Sequence, residues 1–130
     1  MTTGSRPVLF VEDDDAIREL LRILLAEDGL DFVEADNGAT ALALAAELRP
    51  PVVVLDLRLP RVDGLEVARR LKTDPRTRAC WIVGVSAHAE EATALAAGCD
   101  CFLPKPLDIA QLEDAVRAGL ARSERALSPA

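Results

Sequence analysis

The feature that most constrains this chain is a fivefold alternation of short apolar runs with segments of helical spacing. The runs are Val8-Leu9-Phe10-Val11, Asp31-Phe32-Val33-Glu34-Ala35, Val52-Val53-Val54-Leu55, Trp81-Ile82-Val83-Gly84-Val85 and Cys101-Phe102-Leu103. Three are nearly continuous Val/Ile/Leu, the pattern of strands covered on both faces. The second alternates and is polar, as an edge strand does. Between them, Asp15 to Glu27 sets Ile17, Leu20, Leu21, Leu24 and Leu25 on one stripe, with Arg18, Glu19, Arg22 and Glu27 off it. Asp15 suits the N-cap of this helix and Gly29 its C′ position. Asn37 can cap a helix over 38–48, which Pro50-Pro51 stops. A third segment runs from Leu65 to Leu71 and closes at Asp74-Pro75. A short fourth covers 90–97 and ends at Gly98. Asp108 caps a fifth from about Ile109 to Arg122, with 123–130 as a frayed tail.

Strand and helix alternating with short connections predict a parallel sheet with helices on both faces. Right-handed crossovers leave few arrangements. A doubly wound, flavodoxin-like sheet in the order 2-1-3-4-5 is the expected one, occupying residues 7–122 between tails 1–6 and 123–130. At 130 residues the chain holds one core and no second folded unit. Twenty-two acidic against fifteen basic side chains, a net charge of −7 and no Lys/Arg cluster argue against a nucleic-acid partner. No apolar run reaches the roughly 20 residues of a bilayer span, and the first residues lack the apolar core of a signal peptide. Cys80, Cys99 and Cys101 match no zinc spacing and suit free thiols of a reducing compartment. A cytoplasmic protein is expected.

Ligands of doubly wound sheets sit at the carboxyl ends of the strands, beside the switch between strands 1 and 3. There the chain places Glu12-Asp13-Asp14 after strand 1 and Asp56 after strand 3. Carboxylates so gathered repel, unless some are protonated or a hard cation sits among them. An all-oxygen set without His or Cys favours Mg²⁺ or Mn²⁺ over zinc. The plainer alternative is that these acids cap the helices that follow, which suffices for Asp15. Ser86 after strand 4 and Lys105 after strand 5 bring a hydroxyl and an ammonium to the same end. With a cation, such groups suit the equatorial oxygens of a phosphoryl group, and an aspartate can hold phosphate covalently.

The pattern Val11-Glu12-Asp13-Asp14, then Asp56-Leu57-Arg58-Leu59-Pro60-Arg61-Val62-Asp63-Gly64, then Ser86-Ala87, then Phe102-Leu103-Pro104-Lys105-Pro106 resembles the receiver domain of bacterial response regulators. The resemblance covers about Pro7 to Leu120. Spacings of 43 residues from Asp13 to Asp56 and 30 from Asp56 to Ser86 agree with it. It implies that Asp56 accepts a phosphoryl group from a histidine kinase or histidine phosphotransfer protein. Asp13, Asp56 and the backbone carbonyl of Arg58 would bind Mg²⁺ directly, and Glu12 through water. Lys105 would pair with Asp56 and then with the phosphoryl oxygens, Ser86 would close on them, and Phe102 would turn inward. A switching face of helix 4, strand 5 and helix 5 would then control a downstream protein target. Such a protein is a switch rather than a turnover enzyme, a monomer or a phosphorylation-dependent dimer. With Met1 present and no output domain after helix 5, a stand-alone regulator is expected. The family commonly has a cis bond where Lys105-Pro106 stands.

Departures from the family's pattern also carry expectations. Ser86 to Gly98 spans about one helical turn less than is usual, so helix 4 should be short. Phe102 stands where many relatives have tyrosine. Arg58 and His88, each two residues past a pocket residue, are candidates for setting the lifetime of an acyl phosphate. Cys99 and Cys101 would be neighbours if both lay within a strand, though ordinary packing is the simpler reading, as it is for Trp81. Three other readings remain. A flavodoxin-type cofactor binder would need a Ser/Thr/Gly-rich loop after strand 1, where Glu12-Asp13-Asp14-Asp15 stands. A haloacid-dehalogenase-type phosphatase wants a second acid at position 58. A degenerate receiver, acting only as an interaction module, would not need the chemical residues that this chain keeps.

Overall fold

The computed structural model describes residues 7–59, 62–87 and 91–127. In chain order these form β1 (Val8–Val11), α1 (Asp15–Glu27), β2 (Phe32–Ala35), α2 (Gly38–Leu48), β3 (Val52–Asp56), α3 (Gly64–Thr73), β4 (Trp81–Ser86), α4 (Glu91–Ala96), β5 (Cys101–Pro104) and α5 (Ile109–Leu127). The strands are parallel, in the order β2-β1-β3-β4-β5. The doubly wound arrangement expected from the alternation is the one observed.

The continuous apolar runs follow from a core on each side of the sheet. Alternate residues of a strand point to opposite faces, so a strand covered on both sides must be apolar throughout. Leu9, Val11, Val53, Leu55 and Ile82 pack with Ala41, Ala45, Val67, Ala68, Leu71 and Ala94 of α2, α3 and α4. Val8, Phe10, Val52, Val54, Val83 and Val85 pack on the other side with Leu21 and Leu25 of α1 and Leu112 and Val116 of α5.

Several helix ends lie where the cap residues put them. Asn37 Oδ1 accepts from Thr40 N at 2.9 Å, Asp108 Oδ1 accepts from Gln111 N at 3.1 Å, and Gly29 after α1 has φ +71°. Three expectations need correction. The N-cap of α1 is Asp14, whose side chain accepts from Ala16 N and Ile17 N, while Asp15 is the first helical residue. Asp14 has the extended backbone that a cap requires. The apolar stripe of α1 is narrower than its sequence suggests. Leu21 and Leu25, one turn apart, are buried, whereas Leu20 is 49% exposed, about 100° round the helix from Leu21. Finally, α5 continues to Leu127 rather than ending near Arg122, because nothing in Ser123-Glu124-Arg125-Ala126-Leu127 breaks a helix. The fourth helix is short, as expected, with six residues.

Cys99 and Cys101 are not a pair on one face. Cys99 precedes β5 and is buried in the α2–α4 side of the core, whereas Cys101 packs on the α1–α5 side. Burial pushes the Cys80 and Cys99 thiols up to about 11 and also raises Cys101. Thiolates are therefore scarce at neutral pH. Iodoacetamide at pH 8 is expected to leave Cys80 and Cys99 unmodified in the native protein and to alkylate all three thiols in urea. Rapid native-state labelling of Cys99, read by peptide mass, would contradict this packing.

Candidate functional site

The carboxyl ends of β1, β3, β4 and β5 converge on one acidic pocket. Ladder hydrogen bonds continue one residue past two of these strands. Glu12 N donates to Ala35 O at 3.0 Å and Lys105 N donates to Ser86 O at 3.0 Å, so both side chains leave the sheet at defined positions. Asp56 is the last residue of β3, opposite Val85 in the register. The sheet thus fixes each backbone, and the chemistry is left to side chains 93 residues apart in sequence.

Lys105 Nζ bridges two carboxylates, donating to Glu12 Oε1 at 3.1 Å and Asp56 Oδ2 at 3.2 Å. Glu12 and Asp56 are each only 4% exposed, while Asp13 is open to solvent. Oxygens of Glu12, Asp13 and Asp56 lie within 4.8 Å of one another. Burial, reinforced by the Asp56 charge, pushes the Glu12 carboxyl up to about 7, against the Asp14 N–H and Lys105, which hold it down. Burial would lower the Lys105 ammonium, but its bond to Glu12 and the charges of Glu12 and Asp56 outweigh that and raise it. One ammonium therefore compensates only part of the negative charge. Three carboxylates, oxygen donors only and one open to solvent, are a donor set that a hard divalent cation fits.

The sequence-derived residues are distributed as follows. Glu12, Asp13, Asp56 and Lys105 are brought together. Ser86 is buried at the end of β4, level with Pro104 in the register. Phe102, opposite Gly84, is half-buried against the α2–α4 side of the core. The Arg58 side chain is exposed, and its N–H donates to Asp56 Oδ1 at 2.8 Å. His88 lies outside the described residues, as do Pro60 and Arg61. The Lys105–Pro106 bond is cis.

Three supporting residues escaped the sequence reading. Asp14 caps α1, and its N–H donates to Glu12 Oε2 at 3.1 Å. Arg18 Nη1 donates to the Glu12 carbonyl at 2.9 Å, while its guanidinium also pairs with Asp15 and Glu34. Gly64 opens α3 directly against β3, where an added Cβ would sit 2.4 Å from the Asp56 carbonyl oxygen. An acidic residue just before a helix is a signal for the first, and an arginine one turn further on for the second. The third rests on a contact between segments that sequence alone does not display.

Fold and site together define a flavodoxin-like domain with an acidic, lysine-bridged pocket at its switch point in place of a glycine-rich phosphate loop. The family model of the response regulator receiver domain matches residues 8–117. The chain belongs to that family. It is 36% identical over 121 residues to the DNA-binding dual master transcriptional regulator RpaA of a Synechocystis species, covering 91% of this chain and 50% of RpaA. It is 32% identical over 118 residues to the polar-differentiation response regulator DivK of Brucella anthropi, covering 88% of this chain and 96% of DivK. A putative response regulator from Chloroflexus aurantiacus superimposes with a TM-score of 0.84 at 27% identity, over 91% of this chain and 99% of that one. The chain thus spans about half the length of relatives such as RpaA and nearly the whole of DivK. Among the described residues no helix is long and apolar enough to cross a membrane.

Proposed function

We propose that the protein is a phosphorelay switch that takes a phosphoryl group onto Asp56 from a histidine kinase or histidine phosphotransfer protein and passes the change to a downstream protein, in the cytoplasm. The observation that carries this reading is Lys105 bridging Glu12 and Asp56 beside Asp13, a charge set from three strand ends with no packing purpose. Asp13, Asp56 and the Arg58 carbonyl would hold Mg²⁺, with Glu12 acting through water; Mn²⁺ has the same donor preference. When bound, that cation neutralises charge on the phosphoryl oxygens.

A carboxylate oxygen of Asp56 attacks phosphorus; its new O–P bond replaces the N–P bond of a phosphohistidine, and the electron pair leaves with the imidazole. The carboxylate is aimed by the Arg58 N–H and the Lys105 ammonium, one on each oxygen. Lys105 then follows the negative charge to the phosphoryl oxygens. The Ser86 hydroxyl closes on the same group, and Phe102 turns inward. α4, β5 and α5 carry that rearrangement to the partner surface. Arg58 and His88 set how readily water reaches the acyl phosphate. An unchanged phosphoryl half-life in Arg58→Ala and His88→Ala would refute that last role.

The test is intact mass after incubation with acetyl phosphate or phosphoramidate and Mg²⁺. One phosphoryl adduct is expected, absent in Asp56→Asn and absent in EDTA. No adduct from either small molecule or from a phosphohistidine donor would overturn the reading in favour of an interaction module.

A further inference from the structure

At the opposite end of the sheet from Asp56, where β3 and β4 begin, lies a cleft of about 330 Å³. Pro50, Pro51 and Pro75 with the Trp81 indole give it an apolar lining, and Arg49, Arg76 and Arg122 also line it. The Arg122 guanidinium lies over the Trp81 ring, 5.3 Å from its centroid. That ring is braced from behind by α5, since a Cβ at Gly119 would come within 2.6 Å of Trp81 Cδ1. The indole is therefore a fixed wall rather than a mobile surface side chain.

The charge here runs against that of the whole chain. Arg76 pairs with Asp74 at 2.8 Å, while Lys72 and Arg122 share Asp100 at 2.8 and 3.8 Å. With Arg49, three guanidinium groups line one cleft on a protein of net charge −7. The side chains of Arg76 and Arg122 are still more than half exposed, so unused N–H groups remain beside the apolar lining. Volume, an aromatic wall and clustered guanidinium groups are the components of a small-ligand site. Guanidinium groups favour phosphate and carboxylate, and a guanidinium lying over one aromatic ring can also meet a second.

We propose that this cleft binds a small planar anion, an aromatic ring bearing a phosphate or carboxylate, with the ring against Arg122 and Trp81 and the anionic group on Arg76 and Arg49. The site does not depend on phosphoryl transfer at Asp56, and its test does not involve that reaction.

Trp81 is the only tryptophan, so its emission, excited at 295 nm, reports occupancy of the cleft directly. The full chain is titrated with GMP as the ring-plus-dianion probe, with ribose 5-phosphate lacking the base and guanosine lacking the charge. A saturable change with GMP is expected, with each control at least about tenfold weaker. Arg76→Gln and Arg122→Gln should each weaken GMP binding by about tenfold, the cost of one charged hydrogen bond. Arg22→Gln, on α1 near the β2 edge, removes the same charge and should leave the titration unchanged. Calorimetry on the same samples guards against optical artefacts. No saturation by 10 mM GMP, ribose 5-phosphate binding as tightly as GMP, or equal losses in all three variants would each overturn the proposal.

Discussion

Lys105→Ala is expected to lower stability in EDTA at pH 8 by about 3 kcal/mol, the lower end of the range for stripping a partner from a buried charge. Lys105 answers two carboxylates that are almost fully buried, so neither has water to turn to when the ammonium goes. Two effects limit the loss. The Lys105 side chain itself is 21% exposed, and Glu12 can take up a proton. Its carboxyl already stands at about 7 against an ordinary 4.5. A carboxyl raised by folding favours the acid side: its contribution is fully present below about 4.5 and is lost as pH rises through about 7. The deficit of the variant should therefore shrink on going from pH 8 to pH 5. Urea midpoints at the two pH values check this, and Lys105→Met separates charge from stem. If Lys105→Met matches the wild type at pH 8, the ammonium is not the compensating charge. Phosphorylation by acetyl phosphate should fall about 100-fold in the same variants, as for removal of one preorganised donor.

Much of this was legible in the sequence because the fold is built from repeated, local signals. Continuous runs such as Val52 to Leu55 announce a strand buried on both faces, and Asn37, Gly29 and Asp108 mark helix ends. Once the strand order follows from alternation and crossover rules, Glu12, Asp13, Asp56 and Lys105 must meet, since each closes or follows a strand at the same end. What stayed hidden depends on the third dimension. Asp14 and Asp15 are equally good cap residues by type, and only the backbone at Asp14 decides between them. Leu20 carries the same hydrophobicity as Leu21, and its exposure is set by how α1 lies on the sheet. Arg49, Arg76 and Arg122 are scattered through the sequence, so the chain shows no basic cluster until it is folded.

Gly64→Ala is expected to couple stability to the chemistry most directly. A Cβ there would stand 2.4 Å from the Asp56 carbonyl oxygen and 2.5 Å from Leu57 Cα. Both are backbone atoms of a buried strand end, and neither can rotate aside as a side-chain tip can. α3 or the end of β3 must shift, at about 3 kcal/mol, the upper end of ordinary overpacking. A shift of the Asp56 backbone also spoils its aim, since the Arg58 N–H and Lys105 hold its oxygens at 2.8 and 3.2 Å. Phosphorylation by acetyl phosphate should then slow by about 100-fold in the molecules that remain folded, because small misplacements of a reacting group cost that much. Gly29→Ala is the matched comparison. Nothing lies within 4 Å of a Cβ at Gly29, and its cost is only that of a side chain at φ +71°, about 1 kcal/mol. That variant should phosphorylate at the wild-type rate. Equal phosphorylation by the two variants at matched folded fraction would show that the packing of α3 on β3 does not position Asp56.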